Sequence, residues 1–213
     1  MTISLDHIPP SNRITTLEQL EELYGAPNQS SLVKEIDHIS DQYRAFIEKS
    51  PFAILATSGP GGIDCSPRGD PPGFVRVVDE KTVLLADRLG NNRTDSLRNI
   101  VDDPRISLLF LIPGVGETLR IIGTAEIYID PDLCASFAMQ GKPPRSVLAV
   151  SVDRVYFQCP KALIRSKLWD AEAQIARSEL PTIGEILGAI SGGEHGCPEY
   201  DRTFPDHIKN TIY

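Results

Sequence analysis

Phe52-Ala-Ile-Leu-Ala-Thr57, closed by Gly59-Pro-Gly-Gly62, decides the fold. The run is short and apolar, and it ends in residues that make a tight turn, the pattern of a strand entering a hairpin. The same pattern recurs at residues 73–78, 82–86, 105–112, 119–129 and 146–158, each rich in Val, Ile, Leu or aromatic residues and bounded by Gly, Pro or Asp. Asp79-Glu-Lys81 is a second connection short enough for a hairpin, so successive strands are expected to pair antiparallel. Parallel strands would need a crossover helix after nearly every strand, and only one good helix lies among these runs. The expectation is therefore a mainly β chain with α (α+β), a six-stranded antiparallel barrel with flanking helices.

Upstream of residue 52 the period is helical. Thr15 with Glu18 reads as a capping box ahead of Leu17, Leu20 and Leu23, and Gly25 stops that helix before Pro27. Val33, Ile36, Ile39, Tyr43, Phe46 and Ile47 recur at three- and four-residue steps and predict one amphipathic helix ended by Pro51. Downstream, residues 131–139 read as a short helix, and Thr182 with Glu185 caps a helix that runs to Ile190. Residues 191–213 are polar and without periodicity. The expected organisation is a helical extension over 1–50, a barrel over 51–170, and a helix and tail over 171–213 packed on it, one structural domain in all.

Two segments carry the chemistry. Asp64-Cys-Ser-Pro-Arg-Gly-Asp70 and Arg88-Leu-Gly-Asn-Asn-Arg-Thr94 place arginine and glycine at the ends of strand-like runs. A phosphate group needs backbone N–H groups in close approach and a guanidinium whose planar fork matches two oxygens. Gly90, Asn91, Asn92 and Arg93 supply those parts directly before a helical run carrying Leu97, Ile100 and Val101, so an anion there would meet a helix N-terminus. The competing reading is a plain turn, with Arg88 and Arg93 paired to Asp87 and Asp95 and Arg68 paired to Asp64 or Asp70.

With 213 residues, 41% hydrophobic, 23% charged and a formal charge of −8, the chain reads as a globular protein without the basic face that coats nucleic acid. The N-terminus does not read as a secretory leader and no run suits a membrane span, which predicts a cytoplasmic protein that meets neither membrane nor nucleic acid. Cys65, Cys134, Cys159 and Cys197 are widely spaced and read as reduced thiols. His195-Gly-Cys197 is a lone pair of candidate ligands, so no metal is expected.

Four ordered motifs then carry a family resemblance: Ser66-Pro-Arg-Gly-Asp70 with Pro72-Gly-Phe-Val75; Asp87-Arg-Leu-Gly-Asn-Asn-Arg93 with Asp95-Ser-Leu-Arg-Asn-Ile100; Pro113-Gly-Val-Gly-Glu-Thr-Leu-Arg120; and Lys161-Ala-Leu-Ile-Arg-Ser-Lys-Leu-Trp169. Over roughly residues 30 to 190 the chain resembles the pyridoxamine 5′-phosphate oxidase-like flavoproteins, in a subgroup of unassigned substrate. The resemblance implies an FMN-binding split β-barrel, a homodimer with the cofactor at the subunit interface, and an oxidoreductase that moves hydride through flavin N5 to or from a small substrate. It implies cofactor contacts from Ser66, Arg68 and Gly69 at the flavin ring or ribityl chain, and from Arg88, Asn91, Asn92 and Arg93 around the phosphate. Arg120, and the segment bearing Lys161, Arg165 and Trp169, would reach the flavin or substrate pocket. On a helix those last three, at i, i+4 and i+8, would share one face. No residue is assigned as a catalytic acid or base. The alternative on the same barrel is a binding protein for flavin, deazaflavin or haem, with the histidines placed away from the barrel disfavouring haem.

Overall fold

The computed structural model describes residues 7–90, 92–196 and 198–213. They form two compact units, one ending at Glu35 and the other running from Ile36 to Tyr213. The first holds helices α1 (Leu17–Tyr24) and α2 (Gln29–Val33). The capping box of α1 is made by Thr16 and Gln19 rather than Thr15 and Glu18. Gly25, at φ +69°, ends α1 in the left-handed region that glycine enters without a Cβ penalty.

The second unit opens differently from the expected long helix. Ile36 pairs with Val155 as an isolated bridge, and Ser40 caps a new helix, α3 (Asp41–Lys49), by accepting from the Tyr43 N–H at 3.3 Å. A serine hydroxyl that satisfies an orphan donor starts a helix afresh, so the apolar stripe from Val33 to Ile47 is divided. Its α3 portion buries Ile47 in the main core.

Among the described residues seven strands follow, not six: β1 (Phe52–Gly59), β2 (Gly62–Gly69), β3 (Val75–Val77), β4 (Thr82–Asp87), β5 (Arg105–Leu111), β6 (Thr118–Tyr128) and β7 (Ser146–Gln158). The extra strand is β2, which carries the Ser-Pro-Arg-Gly segment and pairs with β1 through the Pro60-Gly61 turn. Pro67 cannot donate to a ladder, which is why the segment reads as a loop, but β2 is an edge strand where that donor is not needed. All neighbours pair antiparallel, in the order β2-β1-β5-β6-β7-β4-β3.

The sheet is curled. In a flat sheet β2 and β4, first and sixth in the order, would lie about 24 Å apart at the usual strand spacing. Instead Arg68 of β2 touches Asp87 of β4 at 2.6 Å. The concave side is packed with Leu55, Leu85, Leu108, Phe110, Leu119, Ile121, Leu148 and Val150, all essentially without solvent contact. Helix α4 (Asp95–Asp102) lies against the β1–β2 hairpin, where buried Asn99 donates to Thr57 Oγ1 at 3.1 Å and to the Gly62 carbonyl at 3.2 Å. That anchorage sets the N-terminus of α4 beside β2.

Helices α5 (Pro131–Ser136), α6 (Lys161–Ser166), α7 (Ile183–Ile190) and α8 (Pro198–Thr211) complete the unit. Among the described residues no helix is long and apolar enough to cross a membrane.

Candidate functional site

A cleft of about 730 Å³ opens where the two ends of the curled sheet approach each other. Its walls are β2, the end of β4, the loop into α4 and the start of β7, with Ile212 and Tyr213 beside them. Register explains why β2 sends its polar residues inward. Arg68 pairs with Ala53, Ala53 with Phe110, and Phe110 with Leu119, and the last three are core residues. Residues directly opposite in a ladder share a face, so Arg68 points to the concave side, and Ser66 and Asp64 follow at steps of two.

Arg68 lies deep in the cleft. Its guanidinium donates to Asp87 Oδ1 at 2.6 Å, and both side chains are 17% exposed. Its Nε–H is buried and has no hydrogen-bond partner among the described residues. A buried charged donor without an acceptor is costly, and a ligand that supplied the acceptor would recover that cost. Gly69 follows at the end of β2, where a Cβ would sit 3.3 Å from the Pro51 carbonyl and 3.4 Å from the Phe52 ring. The missing side chain thus spares a contact with the turn before β1.

Arg88 is engaged on three sides: Nε donates to Asp70 Oδ2 at 2.7 Å, Nη1 to the Phe137 carbonyl at 2.7 Å, and its face lies 5.7 Å from the centre of the Tyr213 ring. Arg93 pairs with Asp95 at 2.7 Å on the exposed rim, and that hydrogen bond raises the pKa of the guanidinium further. Asn92, at φ +59°, accepts from Arg145 Nη1 at 3.1 Å through its amide oxygen. Asn91 and Cys197 lie outside the described residues. Thr94, the N-cap of α4, is itself left-handed at φ +56° and makes no side-chain cap, so it satisfies none of the first-turn N–H groups. Ser96 in that turn donates to Asp64 Oδ2 at 2.5 Å. The expected pairing of Arg93 with Asp95 is present, whereas Arg68 and Arg88 take Asp87 and Asp70 respectively.

The remaining expected residues stand apart from this cleft. Arg120 pairs across β5 with Leu109, which pairs with Ile54 and then Pro67, the row that faces outward. It donates to Tyr156 Oη at 3.1 Å. Lys161 and Arg165 are on α6, but Trp169 is not: Lys167, at φ +52°, ends the helix, and the indole N–H of Trp169 donates to the Val115 carbonyl at 2.8 Å. The three therefore do not form a single helical face.

Sequence reasoning missed Arg145 and Tyr213. Arg145 follows Pro143-Pro144 at the mouth of the longest strand, a position comparable to Arg88 and Arg93 that could have marked it. Tyr213 follows a tail without periodicity and carried no such signal.

The family model described as pyridoxamine 5′-phosphate oxidase matches residues 39–159, more than half of the chain. The chain belongs to the pyridoxamine 5′-phosphate oxidase family. Its match takes in every strand of the sheet and the whole arginine-bearing loop before α4, so the cleft is built largely of family-matched residues. Among solved structures, the chain is similar to HupZ from Group A Streptococcus, with 23% identity over 55% of this chain and 91% of that one at a TM-score of 0.46. It is similar also to a protein from Clostridium acetobutylicum related to general stress protein 26, of the pyridoxinephosphate oxidase family, with 15% identity over 55% and 86% and a TM-score of 0.42. A protein of unknown function from Agrobacterium tumefaciens covers more of the chain, 81% against 78% of its own length, with 20% identity and a TM-score of 0.39. No curated protein matches the chain.

Proposed function

We propose that this family member is an FMN-binding oxidoreductase that holds its cofactor in the β2–β4 cleft and works on a small substrate as a homodimer on a split barrel. The observation that carries the reading is Arg68, a cation held at the seam by Asp87, with its buried Nε–H unpartnered among the described residues, beside an arginine-lined cleft. The volume falls in the range of cofactor pockets, commonly about 300–1,000 Å³.

The donor set fits a phosphorylated ring system. Arg145 donates to a neutral amide oxygen, and Arg93 is paired on the exposed rim, where solvent and salt weaken an ion pair. Both could turn to a phosphate, and the first turn of α4, which the Thr94 side chain does not cap, adds backbone donors and the positive end of the helix dipole. Arg68 and Ser66 lie deeper and would meet the ring or ribityl chain. A cation beside the pyrimidine edge of the ring favours the reduced anionic form and so raises the tendency to accept electrons. When bound, FMN supplies hydride acceptance and return, and the chain supplies position, field and shelter from water.

Arg120 faces outward on the opposite side of the sheet from Arg68, and Lys161, Arg165 and Trp169 lie outside the cleft lining. If these residues serve a flavin, it is one bound by a second copy of the chain.

The test is the visible spectrum of the purified protein before and after denaturation, followed by titration with FMN and with riboflavin. Flavin bands, about one FMN per chain, and tighter binding of FMN than of riboflavin are expected. A colourless protein that binds neither compound overturns the proposal.

A further inference from the structure

We propose that Ile212–Tyr213, the two residues after α8, are a latch that forms one wall of the flavin cleft and slows escape of the cofactor. The inference rests on the flavin reading above and adds to it a positioning residue, Tyr213.

Helix α8 leads the chain to this segment. Polar interactions fix Tyr213 at the cleft. The Tyr213 phenol donates to Asp70 Oδ1 at 2.5 Å, the Arg88 guanidinium lies 5.7 Å from the ring centre, and Lys142 Nζ donates to the Tyr213 carbonyl at 2.6 Å. The anchor is a stiff one. The Asp70 side chain is only 4% exposed and gives its other oxygen to Arg88 Nε at 2.7 Å, while Arg88 is tied in turn to the Phe137 carbonyl. One carboxylate thus holds both a cleft arginine and the tail, and the shared hydrogen bonds to its charge are individually strong.

Tyr213 is a wall and not a plug, because the cleft keeps about 730 Å³ with Ile212 and Tyr213 among its lining residues. The latch is also separable from the barrel. It adds no strand to the sheet and no residue to the main core, so it can open without disturbing the β-ladder. A ligand leaving the cleft past this wall would then wait on breakage of the Asp70 bond and on separation of the ring from the Arg88 guanidinium.

The experiment loads the protein and its Tyr213→Phe and Tyr213→Ala variants with FMN, dilutes them, and follows the recovery of free-flavin fluorescence. Hydrogen exchange of the unloaded proteins is recorded in parallel. Release from Tyr213→Ala is expected to be roughly tenfold faster than from the unmodified protein, because alanine offers neither the phenol hydrogen bond nor a ring for the Arg88 cation. Tyr213→Phe, which keeps the ring over Arg88, should fall between them. Exchange should rise in the latch and not in the strands. Equal release rates in all three proteins overturn the latch and leave the flavin reading standing. Faster release accompanied by faster exchange throughout the strands also overturns it, since the effect would be loss of fold. Failure of the unmodified protein to bind FMN removes both the reading and the latch that rests on it.

Discussion

Arg68 and Asp87 meet at 2.6 Å across the seam between the first and sixth strands of the sheet. The pair links two segments with no ladder between them, and a parallel link joins Asp70 to Arg88 one step further out. The seam is therefore closed by charge where it is not closed by backbone hydrogen bonds. Those same charges line the cleft.

Replacing Arg68 should show both roles. Arg68→Ala leaves Asp87 unpaired at 17% exposure, and a loss of about 2 kcal/mol in denaturant unfolding is expected, less than for a fully buried pair. The double variant with Asp87→Asn should lose less than the sum of the single losses, because neither removal then strands a charge. In the flavin-loaded protein Arg68→Ala should lower the reduction potential, measured against a reference dye. An unchanged potential would place Arg68 outside the field of the ring.

The strand content was legible in the sequence wherever apolar residues alternate or run between turn residues, and it failed at β2 for a physical reason. Asp64, Ser66 and Arg68 occupy the inward positions of that strand, where a core strand would carry Val or Leu, and Pro67 interrupts its donors. A strand whose inner face lines a polar cleft does not look like a strand. The N-terminus of α4 was legible because Leu97 and Ile100 pack on the core at helical spacing, although Val101 on the same run is exposed. The break at Lys167 was not, since nothing in Arg165-Ser-Lys-Leu-Trp169 announces a left-handed residue. The interactions of Tyr213 with Asp70 and Arg88 span long sequence separations and depend on the closed tertiary structure.

Acid should loosen the segment before α3. Asp37 is held down to about 2 from an ordinary 3.8 by hydrogen bonds from His38 and Lys81 and by the Lys81 charge. A lowered carboxylate pKa stabilises the fold above its unfolded value and loses that contribution as pH falls through the folded one. Asp37→Asn is expected to lower the melting temperature at pH 6 and to lower it much less at pH 2, where the folded carboxylate is about half protonated. An equal deficit at both pH values would show that the charge is not the cause.

The bulge between Ile122 and Gly123 in β6 sets another limit. A Cβ on Gly123 would lie 1.9 Å from the Ser151 carbonyl oxygen of β7, so the ladder must shift to admit any side chain. Gly123→Ala should cost about 3 kcal/mol in chemical denaturation. Full stability of that variant would mean that the two strands can separate locally without penalty.

The proposed phosphate clamp predicts that the protein distinguishes FMN from riboflavin, which share the ring and ribityl chain and differ by the phosphate. Arg93→Ala and Arg145→Ala each remove a guanidinium from the cleft beside the α4 N-terminus, and a charge-assisted hydrogen bond is worth about 1.5–3 kcal/mol. Each variant should therefore bind FMN roughly tenfold to a hundredfold more weakly while binding riboflavin as the unmodified protein does. Calorimetric titration with both ligands at fixed salt reads the difference directly. Because Arg93 already carries Asp95 at 2.7 Å, Asp95→Asn should act in the opposite direction and tighten FMN by removing a carboxylate that competes for that guanidinium. If Arg93→Ala weakens riboflavin as much as FMN, the arginine shapes the cleft and does not hold the phosphate.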